Sequence, residues 1–162
     1  MYVDQSIMPS DSRIWIYQSD RPFTPEETIT IMNRAKEFIA SWTAHQQDLK
    51  GSCSILHDIF LVIMIDEKHA SASGCSIDKS FHFIHTLERD FSLSLLDRQR
   101  IAFRKDGKIE IAGRKEFEAL LLEHRVDAST MVFNNLIQTK GELAEGWEIP
   151  LKNSWHSAIR VV

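Results

Sequence analysis

Residues 59–91, IFLVIMIDEKHASASGCSIDKSFHFIHTLERDF, decide the fold class. Ile59–Ile65 is apolar at every position. It is far shorter than the roughly 20 residues a membrane helix requires, so the stretch from Ile59 to Asp66 reads as a strand buried on both faces. After Asp66, the small residues Ser73-Gly74-Cys75-Ser76 lead into a helix over Ser76 to Phe91. Ser76 is the expected cap, and Ile77, Phe81, Ile84, Leu87 and Phe91 form the apolar stripe. Such strand–loop–helix junctions often carry sites in α/β-type proteins, because amide N–H groups and the positive end of the helix dipole converge there.

Upstream, Arg13–Gln18 (RIWIYQ) has strand composition and runs into the turn-like Ser19-Asp20-Arg21-Pro22. Thr24, Pro25 and Glu27 spell a capping box with proline in the first helical position, which predicts a helix to about Ala44 with Ile31, Ala35, Phe38, Ile39 and Trp42 inward. Cys53–His57 pairs with the strand that follows it through a tight turn near Asp58.

Downstream, Ile101–Ile111 is a hairpin with two available registers. A two-residue Asp106-Gly107 loop sets Phe103 opposite Glu110, whereas a three-residue Lys105-Asp106-Gly107 loop sets Phe103 opposite Ile109. The hydrophobic pattern favours the second. A third helix runs from Arg114 to about His124 on Phe117, Leu120 and Leu121.

The order β-α-β-β-α-β predicts an α+β fold: a ferredoxin-like split βαβ sandwich with an extra hairpin strand, a third helix and a C-terminal extension, in one domain over residues 1–162. In that topology the strands around Trp15 and Val62 lie in the middle of the sheet. Helices cover one face only, so the other has to be covered by the C-terminal segment, with Met131, Val132, Phe133, Leu136, Trp147 and Trp155, or secondarily by a homodimer partner.

Apolar and charged fractions of 43% and 26% are ordinary for a globular chain, which argues against disorder. A formal charge of −4 argues against a general nucleic-acid binder. Two cysteines make no disulfide framework, and the first residues, MYVDQSIMPSDSR, lack the basic and apolar regions of a secretory signal. A cytoplasmic protein with reduced thiols and no membrane partner is the expectation.

Cys75 at the helix start has the placement of a nucleophilic thiol, with His156 as the histidine a folded-over tail could bring to it. The competing reading is a small loop residue. Asp78, His82, His85 and Arg89 share the polar face of the same helix, where Asp66, Glu67 or His69 could add a ligand. The spacing lacks the strictness of HExxH, a solvated helix face explains it equally, and neither a metal nor a cofactor is assigned.

Arg98, Arg100, Arg104, Lys105, Lys108, Arg114 and Lys115 make a basic hairpin region that could meet phosphates, although edge strands carry such charges simply to prevent aggregation. Asn134-Asn135 can orient a ligand or close a turn, and Trp155 beside His156 can line a pocket or anchor the chain end. Asp66, Gly74, Asp78, His82, Asn134, Asn135 and Trp155 are therefore the candidate binding residues, and Cys75 and His156 the candidate catalytic ones.

Taken together, WIYQSDRPFT, WTAHQQDL, ASGCSID, LLDRQR, VFNNLIQTKGEL and NSWHS resemble, over nearly the whole chain, an uncharacterised bacterial family of small proteins often labelled "ABC transporter ATPase". The resemblance implies a small cytoplasmic protein and supplies no catalytic residues. Walker A chemistry needs GxxxxGK[ST], whose amides and lysine cradle phosphates, and these 162 residues contain no such run. The expectation is a non-ATPase binding or interaction protein recognising a small ligand or a protein. The alternatives are an enzyme using Cys75 or an acidic/His site within residues 66–85, and phosphate or nucleic-acid binding by residues 98–115.

Overall fold

The computed structural model of the chain describes residues 1–159 and is a mixed α+β structure. Its backbone groups into two compact units, Met1–Leu96 with Gln138–Gly141, and Asp97–Ile137 with Glu142–Val162. The last three positions of the expected C-terminal extension lie outside the described residues.

The first unit contains β1 (Arg13–Gln18), α1 (Pro25–Ala40), the short strands β2 (Thr43–Ala44) and β3 (Gln47–Asp48), then β4 (Gly51–Leu56), β5 (Phe60–Ile65) and α2 (Gly74–Phe91). Its main sheet is antiparallel in the order β1-β5-β4. All six residues of β5 are buried. Alternation along a strand sends Leu61, Ile63 and Ile65 to one face, where they pack with Ile31, Ala35 and Ile39 of α1 and Ile84 and Leu87 of α2. Phe60, Val62 and Met64, on the opposite face, are equally dry, and the buried Ser54 and Ser52 stand beside the last two across β4.

The α1 start follows the sequence signals. Thr24 Oγ1 accepts the Glu27 N–H at 3.1 Å while the Glu27 carboxylate accepts the Thr24 N–H at 2.9 Å. Arg21 grips both Glu27 oxygens at 2.9 Å and also donates to the Phe91 carbonyl at the end of α2. That guanidinium, and secondarily the Thr24 amide, hold the Glu27 carboxyl down at about 2.

The helix ends at Ala40 rather than near Ala44. Trp42 fits the helical spacing, yet it is buried just beyond the C-cap, where its indole N–H donates to Ser76 C=O at 2.8 Å. Thr43–Ala44 then pairs with Gln47–Asp48 around His45-Gln46, both left-handed.

Helix α2 begins at Gly74, with Ser73 and not Ser76 as its cap. Its buried stripe is Ser76, Ser80, Ile84 and Leu87, and Phe81 is 51% exposed. Two serines can occupy a buried face because each hydroxyl donates to a carbonyl three residues back, Ser76 to Ser73 and Ser80 to Ile77, leaving no donor stranded.

The expected single four-stranded layer is not formed. β1, carrying Trp15, pairs with β5, and Arg13 at its start also makes an antiparallel bridge to Thr139 of the segment Gln138–Gly141. Ile101–Lys105 belongs to a separate sheet. Hydrophobic pattern identifies a strand but does not say which sheet it joins.

The second unit contains β6 (Ile101–Lys105), β7 (Lys108–Ala112), α3 (Arg114–Leu122), β8 (Met131–Phe133), the single turn α4 (Glu142–Glu145) and β9 (Glu148–Pro150), with the antiparallel order β7-β6-β8-β9. Phe103, Phe117, Leu120, Val126, Val132 and Leu151 are among its core. Residues of the expected C-terminal cover form β8 and β9 of this second sheet, and Gln138–Gly141 belongs to the first unit, where Thr139 bridges to Arg13.

The hairpin takes the register that the hydrophobic pattern disfavours. Phe103 faces Glu110 and Lys105 faces Lys108, around Asp106 and Gly107 with φ of 50° and 75°. Two left-handed central residues are what a two-residue type I′ turn needs, so turn geometry wins over pattern. β7 is an edge strand, and its Glu110 is exposed.

Gly51, opposite Ile65 in β4, has no room for a side chain: a Cβ there would lie 2.8 Å from the Met64 carbonyl oxygen and 3.1 Å from Ile39 Cγ2. Gly51→Ala is expected to lower the unfolding free energy by about 1–3 kcal/mol, measured by urea denaturation, because the obstacle is backbone that cannot step aside.

Candidate functional site

At the end of β5 the Asp66 carboxylate accepts from Lys50 Nζ at 3.2 Å and from the Lys68 N–H at 3.1 Å, while its carbonyl accepts the His69 N–H. It closes its own loop. The start of α2 is capped from within: Ser73 Oγ accepts the Ser76 N–H at 3.2 Å and Ser76 Oγ accepts the Ser73 N–H at 2.7 Å. Gly74 has open space where a Cβ would stand, so no ligand-like close approach explains the glycine. Cys75 lies inside the first helical turn rather than before it, and its thiol is exposed.

Asp78 and His82 are exposed on the outer side of α2, and His85 Nδ1 lies 3.3 Å from Glu88 Oε1. Among the described residues no group of three or more His, Cys, Asp or Glu side chains could hold a metal ion.

In the second unit Asn134 follows β8 and uses its side-chain oxygen to accept the Leu136 N–H at 3.2 Å, an Asx turn, while its backbone N–H donates to the Trp147 carbonyl. Asn135 Oδ1 accepts the Trp147 indole N–H at 2.9 Å. The two amides therefore close a turn and hold a core tryptophan, whose ring packs edge-on against Phe133.

Trp155 is 37% exposed and stacks on His156 with ring centroids 3.9 Å apart. His156 is 2% exposed, and its Nδ1 shares a 2.7 Å hydrogen bond with Ser154 Oγ. Burial pushes this imidazole down from 6.5 to about 4, so it is neutral at ordinary pH.

The basic hairpin is partly neutralised. Arg104 pairs with Glu148 at 2.6 Å, Arg114 with Glu118 at 3.0 Å and Arg100 with Asp97 at 3.2 Å. The second unit holds ten basic and ten acidic side chains in its sequence, so the whole formal charge of −4 belongs to the first.

The candidates divide between the units: Asp66, Gly74, Cys75, Asp78 and His82 in the first, Asn134, Asn135, Trp155 and His156 in the second. Ser73, Ser154 and Lys140 carry bonds but are absent from the residues expected above. The Ser-x-x-Ser spacing of Ser73 and Ser76 is a legible capping signal, whereas nothing local marks Lys140. Comparison of the chain with family models, with curated proteins and with solved structures returned no match.

His156 makes stability depend on pH. The unfolded chain binds a proton near pH 6.5 and the folded one only near pH 4, so the stability present above pH 6.5 is lost as pH falls toward 4. The stability lost by wild type between pH 7 and pH 4.5 should exceed that lost by His156→Gln by about 2–3 kcal/mol, compared by urea denaturation.

Proposed function

We propose that the chain is a non-enzymatic binding or interaction protein of the bacterial cytoplasm, recognising a protein partner or a small ligand through its surface. The observation that carries this reading is where the polar groups at the expected site point. Asp66, Ser73, Ser76, Asn134, Asn135 and His156 all bond within the fold and close loops, cap a helix or hold a core ring. Large apolar side chains remain exposed, Ile29 at 63% and Phe81 at 51% in the first unit and Leu122 at 62% and Leu136 at 60% in the second. No helix among the described residues is long and apolar enough to cross a membrane, which is compatible with that location.

The resemblance to small bacterial proteins labelled as transporter ATPases enters the same proposal without ATP hydrolysis, since nothing in the 162 residues supplies a phosphate-cradling loop with its lysine. For the first unit we infer a ferredoxin-like ancestry. The β1-β5-β4 order supports it, as does the antiparallel bridge at Thr139 in the lane of a fourth strand. A homodimer is one form the interaction can take.

A thiol enzyme is the second reading, favoured by the exposure of Cys75 in the first turn of α2. The proposal expects Cys75→Ser to leave every turnover measured on ester, thioester and nucleotide substrates unchanged, together with slow iodoacetamide labelling of Cys75. A turnover abolished by Cys75→Ser in a protein with an unchanged melting curve would replace the binding reading with the enzymatic one.

A further inference from the structure

The type I′ turn at Asp106-Gly107 fixes which backbone groups of the hairpin face outward. Residues flanking a two-residue loop exchange both hydrogen bonds, and inward- and outward-bonding residues then alternate along each strand. Lys108, Glu110 and Ala112 therefore bond to Lys105, Phe103 and Ile101 of β6, and the N–H and C=O groups of Ile109 and Ile111 point away from the sheet. β7 is an edge of the order β7-β6-β8-β9, and among the described residues the backbone of neither isoleucine bonds outside the hairpin. The opposite edge, β9, carries Pro150, which has no N–H to offer a further strand.

Along β7 the side chains run Lys108-Ile109-Glu110-Ile111. Lys108 and Glu110 are exposed, and neither forms an ion pair among the described residues. Inside the hairpin Lys108 stands opposite Lys105, a like charge, and Glu110 stands opposite Phe103. The complementary strand for this edge has an acid opposite Lys108 and a base opposite Glu110. A second β7 supplies both. With Ile109 facing Ile109 of the second copy, each Lys108 meets the other copy's Glu110. A shift of one residue sets outward-bonding groups against inward-bonding ones, and the register with Glu110 opposite Glu110 brings like charges together.

We propose that the chain pairs with a second copy of itself through β7, edge to edge and antiparallel, about a two-fold axis at Ile109. The two Ile109 residues exchange both backbone bonds, two Lys108–Glu110 pairs flank them, and the two four-stranded sheets become continuous. The same surface serves both copies, so the assembly closes at a dimer. The inference rests on the interaction reading above and specifies its partner.

Sedimentation equilibrium of the full chain tests it. An interface of two backbone bonds and two exposed ion pairs is small, so half of the wild type should be dimeric at about 10–100 μM. The Ile109 amide, open in the monomer, should then exchange about twofold more slowly than in dilute solution. Ile109→Pro removes the outward N–H and no bond to β6, and should raise the dissociation constant at least about tenfold. Glu110→Lys and Lys108→Glu should each weaken pairing by about tenfold, and the double variant Lys108→Glu/Glu110→Lys should restore the wild-type constant. The proposal is overturned if the wild type stays monomeric up to about 1 mM, or if either Ile109→Pro or Glu110→Lys leaves its dimer intact. An intact dimer in those variants would use another surface and leave the interaction reading standing, since that reading is tested by the Cys75→Ser turnover.

Discussion

Because both faces of β5 are dry, the N–H and C=O groups of Phe60–Ile65 must find partners in neighbouring strands rather than in water, and each unmatched buried group would cost about 1–3 kcal/mol. β1 and β4 supply that pairing through six residues on each side. Much else in the first unit follows. Gly51 is required where β4 passes beneath Ile39, and α1 and α2 lie on the odd-numbered side chains of the strand. Trp42 leaves its helix to fill the space beside α2, bonding to Ser76. A strand with one solvated side would impose none of this closeness.

The same constraint shapes the region that most suggested chemistry. A junction that leaves a fully buried strand must settle its polar groups at once, and Asp66 does so through Lys50 and the Lys68 amide. Seven residues later the Ser73–Ser76 pair begins, and it satisfies the start of α2 reciprocally. Once these groups are matched internally, Cys75 is left as an exposed thiol whose neighbours in the turn serve the helix. The second unit repeats the pattern, with Asn134, Asn135 and Ser154 each bonded within a few residues or to a core ring.

Local signals in the sequence were legible wherever a short-range interaction decides the outcome. Thr24-Pro25-x-Glu27 announces α1, and the apolar run announces β5, since caps and burial patterns act over a few residues. Phe81 fits an apolar stripe by helical spacing, yet it is exposed; Ser76 and Ser80 take the buried face, because their hydroxyls bond back to carbonyls three residues earlier. In the hairpin the type I′ requirement at Asp106-Gly107 outweighed hydrophobic alternation. Sheet membership was hidden for a different reason: the partner of β1 beside Arg13 is Thr139, far away in sequence and unmarked by composition. The candidate site was legible as a list of residue types, but its hydrogen-bond partners were not, because they depend on tertiary neighbours.

Adjacent residues of β5 point to opposite faces, so truncating two of them in turn asks most directly whether both faces are dry. Urea denaturation of Ile63→Ala and of Met64→Ala should each show a loss of about 2–5 kcal/mol, since both side chains are fully buried. A full loss at Ile63 with under about 0.5 kcal/mol at Met64 would mean that the face away from the helices is solvated, and would contradict the account at its centre.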